Sequence, residues 1–287
     1  MAMSIRTNVS SLNAQRNLYS TQSQLDSSLS RLGSGYRITK AGDDAAGLGI
    51  SVNLQAQIKS YAQAARNAQD GISLVQTAEG SLNEITNILT RMRELAMQSA
   101  SAGVDGDQRK YIDTESKQLV AEIDRIANAA DYNGTSLLNG TNTPAKLTFQ
   151  VGIKNTDTGS GDAVNTITVD TADVNTEELF QKDSASYTID LSDQTKAAEA
   201  LAVIDGALGK VSETRATFGA VGNRLNNAIS NIQSAAENLS AANSRIRDVD
   251  IAAETAEMTR ANILMQAGVS VLSQANQIPQ SALKLLG

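Results

Sequence analysis

Ile204, Val211, Phe218, Leu225, Ile232, Leu239 and Ile246 follow one another at intervals of seven residues. After a phase slip of five, Ile251, Met258, Met265 and Leu272 continue at the same interval. A seven-residue apolar repeat keeps a stripe on one face of a gently supercoiled helix. The pattern predicts a long helix that Asp193 caps, and a second one running toward the C-terminus. In the other half of the chain Ile5, Val9, Leu12, Leu18, Leu25, Leu29 and Leu32 are helically spaced until Gly33 and Gly35 break the run. Ile58, Tyr61, Ala65, Ala68, Ile72 and Val75 then alternate steps of three and four. Ala78 breaks step once, and Leu82, Ile85, Leu89, Met92 and Ala96 resume it. A helix from about Asp44 to Ser99 would be roughly 80 Å long. Gly103 to Gly106 form a turn, and Ile112, Leu119, Ile123, Ile126 and Ala130 make a shorter third helix, antiparallel to the second.

The period changes after Asn133-Gly134 and Asn139-Gly140, both turn signals. Leu147, Phe149 and Val151 alternate with polar residues, as do Ile167 and Val169, and later Tyr187, Ile189 and Leu191. A period of two predicts strands. The fold class expected is therefore mainly α: a long antiparallel helical rod or coiled coil formed by both chain ends, with a small β-rich central region. The expected organisation is an inner coiled-coil domain from 1–43 and 247–287, an outer helical domain from 44–133 and 193–246, and a β-rich segment at 134–192. The ladder from Ile204 to Ile246 would close the outer domain, and the one from Ile251 onward would serve assembly.

Composition narrows the function. Nine aromatics and no Trp leave Ala, Leu, Ile and Val to fill the core. His and Cys are both absent, which removes the commonest general base, the commonest metal ligands and every disulfide. The net charge of −7 is concentrated in residues 141–200, where four Lys face seven Asp and three Glu. The helical ends are close to neutral and can pack densely, whereas the middle is acidic and faces water. No basic patch suggests nucleic acid, and no apolar run is long enough to span a membrane. The N-terminus lacks a signal-peptide core, so the chain is either cytosolic or exported by a route without a cleavable signal.

Candidate chemistry is sparse. The run GDDAAGLGIS (42–51) has no Lys after its glycines, so it is not a P-loop, and its two Asp lack a third ligand. It reads as a turn with helix capping. Asn155, Asp157, Gly159, Gly161 and Asp162 lack the spacing and the terminal Glu of a calcium loop. Without His, only a Lys-assisted serine such as Ser281 with Lys284 would remain, at a terminus where no pocket forms. Met258 and Met265 suit adaptable packing between helices better than a cofactor. Neither catalytic residues, a metal nor a cofactor are expected.

Two runs resemble a known family. RLGSGYRITKAGDDAAGLGIS (31–51) is similar to the pattern LSSGxRINxAxDDAAGLxIS of bacterial flagellins, with Gly33 in place of the usual Ser and Gly49 in place of the usual Ala. SRIRDVDIAAETAEMTRANILMQAGVSVLSQANQIPQSALKLLG (244–287) resembles the flagellin terminus throughout, and TRMRELAMQSA (90–100) and EIDRIANAADYNGTSLLNG (122–140) match as well. The resemblance covers about residues 3–153 and 200–287, with the variable outer domains of larger flagellins reduced to the short acidic β segment. It implies a subunit that self-assembles into the extracellular filament of the flagellum for motility. It also implies export in an unfolded state through the flagellar type III apparatus, a cytoplasmic chaperone on the C-terminal helix, and cap and hook-associated proteins as partners. A Toll-like innate immune receptor is a further implied partner, with Arg91, Leu95 and Glu115 at the matching positions, although Thr90 stands where many recognised flagellins have Gln.

The assembly expected is physical as well as familial. The terminal helices pair, and neighbouring copies cover their remaining apolar faces; a head-to-tail contact that does not close propagates as a filament. Ile5, Val9, Leu12, Ile251, Met258, Met265 and Leu272 would line the innermost layer, disordered before assembly and folded on docking. A hook–filament junction protein and a cytosolic coiled-coil scaffold share the helical termini; GDDAAGLGIS and the QANQIPQ ending favour the filament subunit.

Overall fold

A computed structural model describes residues 7–140, 146–153, 164–182, 185–186 and 189–284. Six helices carry the described chain: α1 (Val9–Ser34), α2 (Ala45–Ser99), α3 (Gly106–Ala129), α4 (Thr176–Leu179), α5 (Gln194–Arg247) and α6 (Ile251–Lys284). Three short antiparallel ribbons accompany them: β1 (Asp131–Tyr132) with β2 (Thr135–Ser136), β3 (Lys146–Gln150) with β4 (Thr166–Asp170), and β5 (Gln181–Lys182) with β6 (Ala185–Ser186). Contacts divide the chain into two compact units, Met1–Ile58 with Glu237–Gly287, and Lys59–Ala236.

In the first unit α1 and α6 lie side by side. Helix α1 starts where the Asn8 carboxamide oxygen accepts from the Ser11 amide (3.1 Å). It runs through Gly33, which the sequence pattern treats as a break, and ends at Gly35. Gly35 adopts φ 74°, and its N–H bonds the Arg31 carbonyl. Only glycine takes that left-handed cap without a Cβ penalty. The two connecting segments clasp each other: the Arg37 amide donates to the Arg247 carbonyl (2.7 Å) and the Val249 amide to the Gly35 carbonyl (3.1 Å). The Arg247 guanidinium sits 4.2 Å above the Tyr36 ring.

The GDDAAGLGIS run is a turn and a cap, as its residue types predict. Asp43 Oδ2 accepts from the Lys40 amide and from the Thr39 amide and hydroxyl, each at 3.0 Å. These donors hold its carboxyl below the usual aspartate range, the Lys40 and Thr39 amides first. Asp44 Oδ1 accepts from the Gly47 amide (2.8 Å) at the first turn of α2. A Cβ on Gly47 would collide with the Asp44 carboxylate, so glycine here leaves the cap in place.

The second unit holds the main core. Ala64, Ala68, Ile72, Val75, Ala78, Leu82, Ile85, Leu89, Met92 and Ala96 form one buried stripe of α2, and Ala78 belongs to it rather than interrupting it. Ile204, Val211, Phe218, Leu225 and Ile232 meet this core from α5, and Ile112 and Ile123 from α3. Helices α2 and α5 run antiparallel: Gly71 packs on Leu225, while Arg93 pairs with Asp205 (2.6 Å). Gly71 also lets the β3–β4 ribbon approach, since a Cβ there would come 3.3 Å from Phe149. The β1–β2 hairpin turns on Asn133 (φ 51°) and Gly134 (φ 76°), the two left-handed residues that an Asn-Gly turn requires.

The alternation at Leu147–Val151 and Ile167–Val169 corresponds to β3 and β4, with Ile167 and Val169 buried. The third predicted strand differs. Tyr187 lies outside the described residues, and Ile189 and Leu191 are buried without belonging to a strand. Helices satisfy that backbone instead. The Leu191 amide donates to buried Asp113 (3.0 Å), and its carbonyl accepts from the Ser99 hydroxyl (2.6 Å). Period-two burial needs an extended chain on a surface, and here α2 and α3 supply the surface that a partner strand would have supplied. Helix α5 then begins at Asp193, whose carboxylate accepts from the Thr195 amide (2.8 Å). Just before it, the Lys196 ammonium and the Ser192 hydroxyl and amide hold the Asp190 carboxyl far below its ordinary range.

Candidate assembly surface

The α1–α6 pair is antiparallel, and its ends are tied by polar contacts. Asn8 Nδ2 donates to the Ala275 carbonyl (2.8 Å) and Ser11 Oγ to Asn276 Oδ1 (2.8 Å) at one end. At the other, Arg31 lies 3.7 Å from Glu254. Midway, Leu18 packs so closely on Gly268 that a Cβ at that glycine would come within 3.0 Å of it. Among the less exposed positions of α1 are Ser11, Ala14, Leu18, Thr21, Leu25, Ser28 and Leu32, and among those of α6 are Glu254, Met258, Ala261, Met265, Gly268, Leu272 and Ala275. Both sets step by three and four, which is the signature of a two-helix seam.

The structure separates the predicted interface residues. Met258, Met265 and Leu272 are half-buried on the seam line of α6, toward α1. Val9 (60 % exposed), Leu12 (50 %) and Ile251 (66 %) point away from it. Ile5 lies outside the described residues. Sequence reasoning missed the rest of the open face. Ile263, Leu264, Val269 and Val271 are exposed on α6, as is Tyr19 on α1. Ile251, Ala252, Thr255, Ala256, Thr259, Arg260, Ile263 and Leu264 line one shallow, mainly apolar surface, and Val9, Leu12, Gln15, Arg16 and Tyr19 line another. The signal for them was present: they are the apolar residues that fall off the seven-residue ladder.

Pairing alone therefore leaves both helices with apolar surface facing water. Exposed apolar patches of this kind mark interaction sites. No charged group is buried beneath these surfaces among the residues lining them, and Arg260 at the edge pairs with Glu257 (2.7 Å).

The second predicted site is divided too. Arg91 Nε and Nη2 donate to Glu115 Oε1 at 3.0 and 2.8 Å, and Nη1 reaches Glu94 at 3.2 Å. This cluster spans α2 and α3 on the surface. Leu95 is only 2 % exposed and packs in the core, so it offers no apolar knob beside Arg91. Its position one turn further along α2 is the period of the buried stripe.

Comparison with known proteins covers both ends of the chain. The family model for the bacterial flagellin N-terminal helical region matches residues 5–143, and that for the C-terminal helical region matches residues 201–286. A flagellin of Halalkalibacterium halodurans is 46 % identical over 285 residues, covering 99 % of this chain and 100 % of that one. A flagellin of Bacillus subtilis is 42 % identical over 314 residues, with 99 % and 100 % covered. The flagellar filament 33 kDa core protein of Treponema phagedenis is 40 % identical over 295 residues, again with 99 % and 100 % covered.

Proposed function

The chain belongs to the bacterial flagellin family, and we propose that its terminal helix pair is the surface through which copies of it polymerise. It is a structural subunit of the flagellar filament and serves motility. The observation that carries the proposal is the apolar face left open on α1 and α6 after the two have paired, above all Ile251, Ile263 and Leu264. A second copy is the occupant whose chemistry fits: the face is flat, apolar and repeated on every subunit, and a non-closing contact of that type grows a filament. Covering it also explains how so thin a pair becomes stable, since its seam buries only a few small or medium side chains.

The same reading places the protein outside the cell, in the filament, after export in an unfolded state. The lack of Cys supports that route, because no disulfide has to be opened for threading. Before export, the apolar stripe of α6 calls for a cytoplasmic chaperone, and at the filament ends the same surface would meet cap and hook-associated proteins. The role is structural, with no catalytic step. Purified full-length protein mixed with short filament seeds is expected to lengthen them into uniform helical filaments in electron micrographs. Seeds that stay the same length would overturn the proposal.

A receptor contact at Arg91 and Glu115 is a second reading, supported by their exposure and by the pairing that holds the Arg91 guanidinium in place. Leu95 would contribute only by packing beneath them. Arg91→Ala and Glu115→Ala are each expected to weaken binding of a Toll-like receptor ectodomain by roughly tenfold, the usual scale for a charged hydrogen bond. Unchanged binding of both variants, measured by surface plasmon resonance, would refute it.

A further inference from the structure

The apolar seam of the terminal pair does not determine its own register. The contact of Leu18 with Gly268 sets α1 residue and α6 residue level in antiparallel order. Carried along both heptads, it sets Ala14 level with Leu272, Leu25 with Ala261 and Ser28 with Met258. Each of these layers opposes a large side chain to a small one. Sliding α6 by seven residues sets Leu25 level with Gly268 and Leu18 level with Ala275, and the layers again oppose large to small. A slide the other way sets Leu18 level with Ala261 and Ala14 level with Met265, large to small again, and leaves Leu25 against Glu254 as its one poor layer. Packing volume therefore distinguishes these registers poorly, because both helices repeat their sizes every seven residues.

Only the polar groups lack that repeat. Arg31 meets Glu254 at one end, where the Glu254 side chain is 12 % exposed. Asn8 and Ser11 meet the Ala275 carbonyl and Asn276 at the other. A slide in either direction parts both ties at once and strands a mostly buried carboxylate, which is costlier than losing an exposed pair. We infer that Arg31–Glu254 and Asn8/Ser11–Ala275/Asn276 form a register lock that selects one alignment of the terminal helices among several of similar packing. A single polar residue in a seam sets register in other two-helix assemblies by the same physics. The consequence bears on polymerisation: one heptad of slide displaces the open face of α6 along α1 by about 10 Å. Copies in different registers would then present mismatched surfaces. These residues are thus specificity-determining for assembly, an inference that rests on the terminal pair being the assembly surface.

The natural chain has no Cys, so engineered pairs report register cleanly. Ala14→Cys with Leu272→Cys reports the observed alignment. Thr21→Cys with Leu272→Cys, and Ala14→Cys with Met265→Cys, report the two slides. Each pair is placed in the full-length chain and oxidised, both in solution and in seeded filaments. With the lock intact, the observed-register disulfide is expected to exceed either slid one by at least about tenfold, since the ties combine an ion pair with two part-buried hydrogen bonds. Adding Asn8→Ala, Ser11→Ala and Glu254→Arg should raise a slid disulfide to comparable yield, and further adding Arg31→Glu should lower it again. Slid disulfides that stay absent in the disabled chain would show that the linker clasp alone sets register and would overturn the lock. So would a raised yield that Arg31→Glu fails to reverse. Seeded growth is followed on the same samples. Failure of the chain with an intact lock to grow filaments would overturn the assembly surface instead, while the disulfide ratios in solution would still decide the register.

Discussion

Ending the chain at Asp250 is expected to abolish filament growth completely while leaving a soluble, folded second unit. The cut removes α6, Ile251–Lys284, and with it the larger open apolar face. It also strips α1 of its partner, so Leu18 and Leu25 lose their cover and a single helix of 26 residues is left to stand in water. The core of Lys59–Ala236 contains none of the removed residues. Circular dichroism should show helix lost from the termini, with the cooperative melt of the second unit retained, and electron microscopy should find no filaments. A point variant sharpens the result. Ile263→Asp places a charge on a side chain already 61 % exposed, so folding should change by less than about 0.5 kcal/mol. Burying that carboxylate against another copy would be strongly unfavourable, and elongation should stop. Normal filaments from either variant would mean that polymerisation uses another surface.

Leu89→Ala is expected to lower the unfolding free energy of the second unit by about 3–4 kcal/mol, read from the midpoint of a urea titration. Leu89 is fully buried between Ile85 and Met92 on the α2 stripe, in the one cluster that joins α2, α3 and α5. With few aromatics in the chain, such aliphatic side chains supply most of the buried area, and long helices leave little freedom for the cavity to collapse. That loss is a large fraction of the stability of an ordinary domain of this size. A change below about 1 kcal/mol would show that the site refills easily and that the core is more plastic than its close packing implies.

The helices were legible because their causes are local. Spacing, the Asp193 and Gly35 caps, the Asn-Gly turns and the scarcity of Pro each act over a few residues, and the observed bounds of α2, α3 and α5 follow from them. The β region was partly legible. Leu147–Gln150 and Thr166–Asp170 pair as strands, whereas Leu191 gives both backbone groups to Ser99 and Asp113, residues about 80 to 90 positions away in the chain. Alternation reports which side chains are buried and says nothing of what receives the hydrogen bonds.

The open surface of the terminal pair was the least legible part. The seven-residue ladder from Ile251 selects Met258, Met265 and Leu272, which the structure turns toward α1. The open face belongs to Ile251 at the start of the ladder and to residues off it, such as Ile263 and Leu264. Arg91 and Leu95 are similar neighbours on α2 by spacing, yet one is held at the surface by Glu115 and the other is sealed in the core.

By itself, the amino-acid order determined that long helices from both ends of this chain would carry apolar stripes, that a short β-rich insertion would separate them, and that no His- or Cys-based chemistry was available. It also carried the flagellin motifs. Only the tertiary structure decided which side of each terminal helix closes on the other and which remains open. The reason is physical: a helix can carry two apolar faces at once, and periodicity reports both. Which of them becomes the seam depends on the fit of Leu18 to Gly268 and on polar ties between residues more than two hundred positions apart.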